Sequence, residues 1–214
     1  MLLRSLLVYP AVVLSAVATT LISTVVSPLP AQALPCGVSL VIGVDGTASV
    51  GDPRSIVKTK VLPVGGVMVD YPASLWPVGP IGYDASVRIG IDETKRIIRK
   101  FKAEQPCGRV HLIGHSQGAR VAGDAIAELF AEGMNTSFLS AELLSDPRTP
   151  GTGIEVILVG WVAPGITTTG ERPSMGSADV VWRCTPGDPI CVFPRDLIGI
   201  LSIPVAFARH HGSY

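Results

Sequence analysis

The sequence predicts an α/β domain built on a central, mostly parallel sheet, and three observations support this. Apolar runs of strand length alternate along the chain with segments whose apolar residues recur at helical spacing. Some of the runs are continuously apolar, which is typical of strands buried on both faces. Segments rich in glycine and proline separate them. In such sheets ligands bind at the carboxyl ends of the strands, so polar residues that follow a strand are candidate site residues.

Residues 1–33 are typical of a secretory signal peptide. Arg4 precedes an uncharged, mostly apolar stretch from Leu6 to about Val26, and Ala31-x-Ala33 has the small residues of a cleavage site. An uncleaved membrane anchor is the alternative, because the stretch is about long enough to span a bilayer. Pro10 and the small-residue exit favour cleavage after Ala33. The protein is then secreted or held in the cell envelope.

The remaining residues, 34–214, suit a single domain with a sizeable core, because no linker, charge block or internal repeat divides them. The full chain has 17 basic and 17 acidic residues. A chain so nearly balanced in charge gives no support for a nucleic-acid partner. We expect a monomer.

The four cysteines predict two disulfides, because an even count in an exported chain is typical of a cross-linked domain. Three pairings are possible. Cys184 with Cys191 is favoured because turn-forming residues lie between them, and this leaves Cys36 for Cys107. A zinc site lacks the required CxxC or Cys/His spacing. The sequence has no P-loop, GxGxxG or HExxH motif either, and we predict no metal and no cofactor.

The first half of the domain predicts two strands and a helix. Val38 to Val44 is a continuous apolar run that leads into Asp45-Gly46-Thr47, and Gly65 to Val69 is a weaker strand candidate. Between Val87 and Phe101 the apolar residues fall on one helical face. Acidic residues come early in this helix and basic residues late, which complements the helix dipole.

The segment from Val110 to Gly118, VHLIGHSQG, places a serine where a strand turns sharply into a helix. Ser116 occupies the centre of Gly114-His115-Ser116-Gln117-Gly118, the GxSxG pattern of a nucleophile elbow. The two glycines let the strand and helix approach closely, and the helical spacing continues over residues 119–130. A plain glycine-rich turn is the alternative, and the flanking strand and helix patterns favour the elbow.

Three further strands are predicted after the elbow helix, at Ser140 to Leu144, Ile154 to Val162 and Val180 to Trp182. The segment from Phe193 to Ala208 is strongly apolar. Such a segment is more often part of the core than a lid or a lipid-facing wall.

A serine hydroxyl needs a base within hydrogen-bonding reach to become a nucleophile. Four histidines are available. His111 and His115 lie in the strand and turn that hold Ser116, so we expect them to pack or to line the site. His210 and His211 follow the acidic candidates, which gives the order Ser, Asp, His used by doubly wound hydrolases.

The acid that orients the base is Asp188 or Asp146. Asp188 lies between Cys184 and Cys191, and a cross-linked loop is a rigid platform for a carboxylate. Asp146 precedes a proline and is explained equally well as a turn residue. We therefore favour Asp188.

These motifs resemble the cutinase-like serine esterases of the α/β-hydrolase fold, and among them the PE-PPE-type domains of mycobacteria and relatives. The family's elbow reads GYSQG, and Ser116-Gln117-Gly118 matches its core. The family's aspartate lies four residues after one cysteine and three before its disulfide partner, the spacing of Cys184, Asp188 and Cys191. This is the most specific match.

The resemblance extends to the base and the oxyanion hole. The family's histidine is followed three residues later by tyrosine, as His211 is by Tyr214 and as His210 is not. Asp45-Gly46-Thr47 resembles the family's first oxyanion loop. The resemblance implies a three-layer sandwich around a central, mostly parallel sheet. It also implies a triad with an oxyanion hole, in which the residues would be Ser116, Asp188 and His211, with Thr47 and Gln117 as the oxyanion donors.

We therefore expect a secreted serine esterase that hydrolyses carboxylic esters through an acyl-enzyme. The modest charge and the apolar segments favour lipid-like or medium-chain acyl esters, and they are compatible with transient contact with lipid or the cell envelope. Two alternatives stay open: an acyltransferase that passes the acyl group to an envelope-lipid alcohol, and a catalytically inactive hydrolase fold that serves as a binding module.

Overall fold

A computed structural model describes residues 37–214 of the chain. The predicted signal peptide and Cys36 lie outside these residues, so the cleavage site and the Cys36–Cys107 bond stay predictions. The strands in chain order are β1 (Ser39–Val44), β2 (Val67–Met68), β3 (Arg109–His115), β4 (Leu139–Leu144), β5 (Val162–Ala163), β6 (Ile166–Thr167) and β7 (Asp179–Arg183). The α-helices are α1 (Ile56–Val61), α2 (Tyr83–Glu104), α3 (Gln117–Ala131), α4 (Ile154–Ile157) and α5 (Leu197–His210).

Five strands form one parallel sheet in the order β2-β1-β3-β4-β7, which confirms the predicted sheet. Val44 of β1 pairs with Gly114 of β3, and Gly114 pairs with Leu143 of β4. The three central strands therefore end within one residue of each other. This register brings the residues that follow them, Asp45, Ser116 and Ser145, to the same edge of the sheet.

Helices cover both faces of the sheet. Neighbouring residues of a strand point to opposite faces, so each central strand contributes side chains to a core on either side. Leu112 and Leu143 face α2 and α3 in the larger core, whereas Ile113 and Leu144 face α1 in the smaller one. The domain thus has three layers, as expected. Helix α3 is buried along most of its length, and its small residues permit close contact with the sheet.

The predicted strand from Ile154 to Val162 is wrong. The segment forms the short helix α4, then a turn, and only its last residue enters the two-stranded β5–β6 hairpin. Two features explain the difference. Glu155 is buried where Arg120 Nη1 and the Tyr83 hydroxyl donate to its carboxylate, and Gly160 adopts a φ of 81° that interrupts any strand.

The expectation that Phe193 to Ala208 packs into the core is also wrong. Most of the segment forms α5, and no residue of this helix is buried. Its most exposed large side chains are Leu197, Ile198 and Leu201, with 71%, 82% and 73% of their surface accessible. None of the helices formed by residues 37–214 combines the length and the apolar character needed to cross a membrane.

The predicted disulfide between Cys184 and Cys191 is confirmed. It closes the short loop that follows β7 and carries Asp188, whose side chain is completely buried. On a chain-entropy model so short a ring contributes about 2–3 kcal/mol to stability. The loop is therefore fixed at the same sheet edge as the ends of β1, β3 and β4.

Gly118→Ala tests whether the approach of α3 to β1 requires glycine. A Cβ at this position would lie 2.0 Å from the Val44 carbonyl oxygen and 2.5 Å from that of Asp45. Because backbone atoms cannot yield as a side chain does, we expect the free energy of unfolding to fall by about 3 kcal/mol or more. Gly51→Ala is the control, since a Cβ there has no neighbour within 4 Å. Similar urea-unfolding midpoints for the two variants would contradict this account.

Candidate active site

Ser116 lies on a strained turn between β3 and α3. Its φ of 55° and ψ of −122° are rare for a residue with a side chain, and the turn is fixed because the Ser116 amide donates to the Leu144 carbonyl at 2.9 Å. Gly114 and Gly118 pack so closely that a Cβ on Gly114 would lie 2.5 Å from the Gly118 oxygen. The elbow predicted from the sequence thus presents its hydroxyl away from the sheet edge.

His211 follows α5 directly and contacts both Ser116 and Asp188. Its Nε2 atom lies 3.0 Å from Ser116 Oγ. On the other side of the ring, Nδ1 lies 3.1 Å and 3.2 Å from the two carboxylate oxygens of Asp188. The structure therefore brings the three residues expected to form a triad into one chain of hydrogen bonds.

Asp188 is held as a carboxylate by its donors. Burial alone would raise its pKa, but hydrogen bonds from His211, from the Ser145 and Tyr214 hydroxyls and from the Ile190 amide outweigh burial and lower the pKa to about 2. The two hydroxyl bonds are each 2.6 Å long. Asp188 is consequently ionised at any ordinary pH and able to stabilise an imidazolium.

His115 packs beside the triad without joining it. Its ring lies 4.9 Å from the ring of His211, and its Nε2–H donates to the His211 backbone carbonyl at 2.8 Å. Burial, with an electrostatic effect of His211 as a smaller cause, lowers the pKa of His115 to about 4. His115 therefore lines the site, as predicted, and remains neutral. The ring of Phe207 stacks on that of His211 at a centroid distance of 4.3 Å.

The competing sequence candidates lie elsewhere. The ring of His210 lies against Gly187, where an added Cβ would be 3.0 Å from it. Asp146 is fully buried and accepts hydrogen bonds from Arg172 Nη1 at 2.8 Å and from the Trp182 indole at 3.0 Å. Its carboxylate therefore belongs to an internal ion-pair network. His111 bonds to Ser140 on the neighbouring strand.

The loop after β1 is firmly fixed beside the elbow. Asp45 accepts from Ser55 Oγ at 2.6 Å and pairs with Lys58 Nζ at 3.2 Å. Gly46 lies so close to the elbow that an added Cβ would be 3.2 Å from that of Ser116. Thr47, next in the chain, lines the same cavity as Ser116. Thr47 therefore lies near Ser116, on a loop that is held in place by the contacts of Asp45.

Gln117 contributes its backbone rather than its side chain to this region. The side chain is buried, donates to the Ser74 carbonyl at 2.9 Å and accepts from Ser86 Oγ at 2.9 Å. Its amide is the first of α3, and the first amides of a helix have no partner within the helix. Such an amide, at the positive end of the helix dipole, suits a developing negative charge.

A cavity of about 830 Å³ opens over Ser116 and His211. Most of its wall is apolar, with side chains from the segment between β2 and α2, from the segment that runs from α4 to β6, and from α5. These side chains are Leu75, Val78, Leu158, Trp161, Ile166 and Phe207. Within residues 37–214 no group of three or more histidine, cysteine or acidic side chains is arranged to hold a metal ion. The Ser116 and His211 side chains both line this cavity.

Ser145 is the site residue that sequence reasoning missed. It directly follows β4, is completely buried, and its Oγ lies 2.9 Å from His211 Nδ1 and 2.6 Å from Asp188 Oδ2. The signal was present, because Ser145 comes right after the predicted strand from Ser140 to Leu144.

The chain is similar to one family model and to several solved structures. Residues 37–200 match the family model described as Cutinase. A solved acetyl xylan esterase is 21% identical over 81% of this chain and 97% of its own, with a TM-score of 0.50. Lysin B from Mycobacteriophage D29 is 18% identical over 80% of this chain and 73% of its own, with a TM-score of 0.54. At these identities the two structures show a shared fold. No curated protein sequence matches the chain significantly.

His115→Gln should make the protein more tolerant of acid. An unfolded histidine binds a proton below about pH 6.5, whereas folded His115 does so only near pH 4, so stability is lost as the pH falls through this interval. We expect wild type to lose about 2–3 kcal/mol more than the variant between pH 7 and pH 4.5. Glutamine keeps an amide donor for the His211 carbonyl. Urea unfolding at both pH values measures the difference, and equal losses in the two proteins would contradict the assignment.

Proposed function

Since this chain belongs to the cutinase family and is a carboxylic ester hydrolase, we propose that Ser116, His211 and Asp188 are its catalytic triad. The observation that carries the proposal is the unbroken hydrogen-bond chain from the Ser116 hydroxyl through both nitrogens of His211 to Asp188. This series of hydrogen bonds begins at Ser116, which lines a cavity wide enough for an ester. A nucleophile, a base and an orienting acid in this order are what acyl transfer requires.

In the proposed reaction His211 Nε2 accepts the proton of Ser116 as Oγ attacks the ester carbonyl carbon. The imidazolium, stabilised by Asp188, then gives the proton to the leaving alcohol, and an acyl-serine remains. Water, deprotonated by the same nitrogen, then attacks the acyl-serine. The imidazolium returns the proton to Ser116 Oγ as the acyl–oxygen bond breaks and the carboxylic acid leaves. The Gln117 amide and the Thr47 amide and hydroxyl would donate to the oxyanion in both steps, each donor being worth roughly 3–4 kcal/mol.

Lipid-like or medium-chain acyl esters suit the cavity best. Its wall is mainly apolar, and its volume exceeds what a small acetyl group would fill. An acyl chain that leaves water for such a wall gains about 0.8 kcal/mol per methylene. A longer chain should therefore bind more tightly until the cavity is filled.

Transient contact with lipid or the cell envelope forms part of the same proposal, with the enzyme acting as a monomer. Helix α5 exposes large apolar side chains, and no charged residue occurs between Leu197 and Ala208. Phe207 connects this helix to the cavity wall. Trp161, which is 51% exposed, lines the same cavity, and Val162, which is 69% exposed, follows it as the first residue of β5. A lipid surface would accept such side chains near the cavity mouth.

Export through a signal peptide cleaved after Ala33 completes the proposal. The Cys184–Cys191 disulfide supports it, because disulfides persist in oxidising compartments outside the cytosol. The particular likeness to PE-PPE-type domains, which rests on the sequence motifs, belongs to the same proposal and points to an envelope-associated substrate.

Hydrolysis of p-nitrophenyl esters of increasing chain length tests the triad. We expect Ser116→Ala and His211→Ala to lower kcat by at least about a thousandfold, since each removes a group without which the others cannot act. His210→Ala is the matched control and should stay near wild type. The rate is expected to peak above the acetyl ester. Turnover that survives Ser116→Ala would refute the mechanism, and a folded wild type without turnover would favour acyl transfer or a binding role.

Leu201→Asp tests the lipid contact. Leu201 is 73% exposed on α5, so the change places a charge where an apolar side chain would enter lipid. We expect roughly tenfold weaker sedimentation with phosphatidylcholine vesicles and unchanged kcat/KM on a soluble short-chain ester. Ser202→Asp, which adds the same charge to a neighbouring exposed position, should weaken binding much less. Equal vesicle binding by wild type and Leu201→Asp would exclude α5 as the contact.

A further inference from the structure

We propose that Ser145 is a positioning residue of this active site, and that its hydroxyl links Asp188 to His211. The inference rests on the proposed triad and extends it by one residue. Neither the sequence motifs nor the expected roles of Ser116, His211 and Asp188 require a second serine here. Three features of Ser145 support this role: its distances to His211 and Asp188, the direction of its hydrogen bonds and its backbone conformation.

Ser145 Oγ is the nearest acceptor to His211 Nδ1. The separation is 2.9 Å, compared with 3.1 Å and 3.2 Å to the carboxylate oxygens of Asp188. Both carboxylate contacts are at the long end of a charge-assisted hydrogen bond, which is usually 2.7–2.9 Å. Asp188 alone therefore holds the imidazole loosely, and the hydroxyl supplies the shorter contact.

The direction of the bonds follows from the chemistry of the groups. An ionised Asp188 can only accept, so the Ser145 hydroxyl donates to Oδ2 across 2.6 Å. The oxygen of Ser145 is then free to accept the Nδ1–H of His211. This arrangement requires the proton on Nδ1, which leaves Nε2 as the acceptor for Ser116. Ser145 thus selects the tautomer that the base needs and transfers no proton itself.

The backbone of Ser145 has a conformation that favours glycine. A serine at this position therefore indicates that its hydroxyl has a role. Its φ is 51°, a value that favours glycine, and its amide donates to the Arg183 carbonyl at 2.9 Å. The residue is completely buried. Among residues 37–214 only four non-glycine residues have positive φ, and the two serines of this set are the two that bond to His211. The other two are Ala48 and Ala73.

Replacing Ser145 by glycine separates the hydroxyl from the backbone. Ser145→Gly removes the hydroxyl and also suits the positive φ, so the variant should fold, which circular dichroism and the thermal midpoint would check. We expect kcat to fall roughly ten- to hundredfold with KM within about twofold, the range for losing one charge-assisted hydrogen bond. Ser145→Ala should show the same loss. Ala73→Gly, which changes another buried positive-φ residue, should retain wild-type kcat.

The proton on His211 Nδ1 gives a readout that does not need turnover. Its low-field proton NMR resonance should be present in wild type and in Ser116→Ala, and should move in both Ser145 variants because one of its acceptors has gone. Wild-type kcat in both Ser145 variants would overturn the proposal. If Ser116→Ala proved as active as wild type, the triad proposal would fail instead. If the resonance did not move in Ser145→Gly, the proposed role of Ser145 would be refuted, whatever the outcome for the triad.

Discussion

The close approach of α3 to the end of β1 is the constraint on which the site depends. Gly118 lies so near the Val44 carbonyl that only a residue without a side chain fits. This contact fixes where the helix starts, and with it the position of Ser116 and of the unpaired amide of Gln117. It also fixes the loop that carries Thr47 beside the serine. A single backbone contact therefore sets the geometry of the nucleophile and of both proposed oxyanion donors.

The electrostatics of the site follow from which groups are given partners. Asp188 is buried but receives enough donors to remain charged, whereas His115 is buried with a backbone carbonyl as its hydrogen-bond partner and remains neutral. His211 lies between these two environments, with its Nδ1 side toward the anion and its ring against the neutral imidazole. In the proposed reaction, a proton taken from Ser116 would thus be stabilised on the His211 ring only. The two neighbouring histidines differ because their surroundings differ.

Much of this arrangement could be predicted from the sequence, for physical reasons that are local. The elbow, the apolar strand runs and the disulfide loop each depend on residues close together in the chain. Local sequence patterns are therefore sufficient to predict them. The region after β4 was harder. Residues 154–162 are apolar enough for a strand. However, Glu155 is bound by Tyr83 and Arg120, and these two residues lie far away in the sequence. The prediction that the apolar α5 segment packs into the core was wrong for a different reason. Apolar character indicates a preference for burial, but it does not show which part of the protein would cover the segment.

The exposure of α5 has a consequence for how the domain is assembled. No residue of this helix is buried, yet His211, directly after it, is almost completely enclosed. Phe207 attaches to the domain by stacking on that imidazole ring. The usual dependence is therefore reversed: the helix does not hold the histidine in place, but the histidine, through its ring and its carbonyl, fastens the helix. The residue that would move the proton is also an anchor of the exposed helix that precedes it.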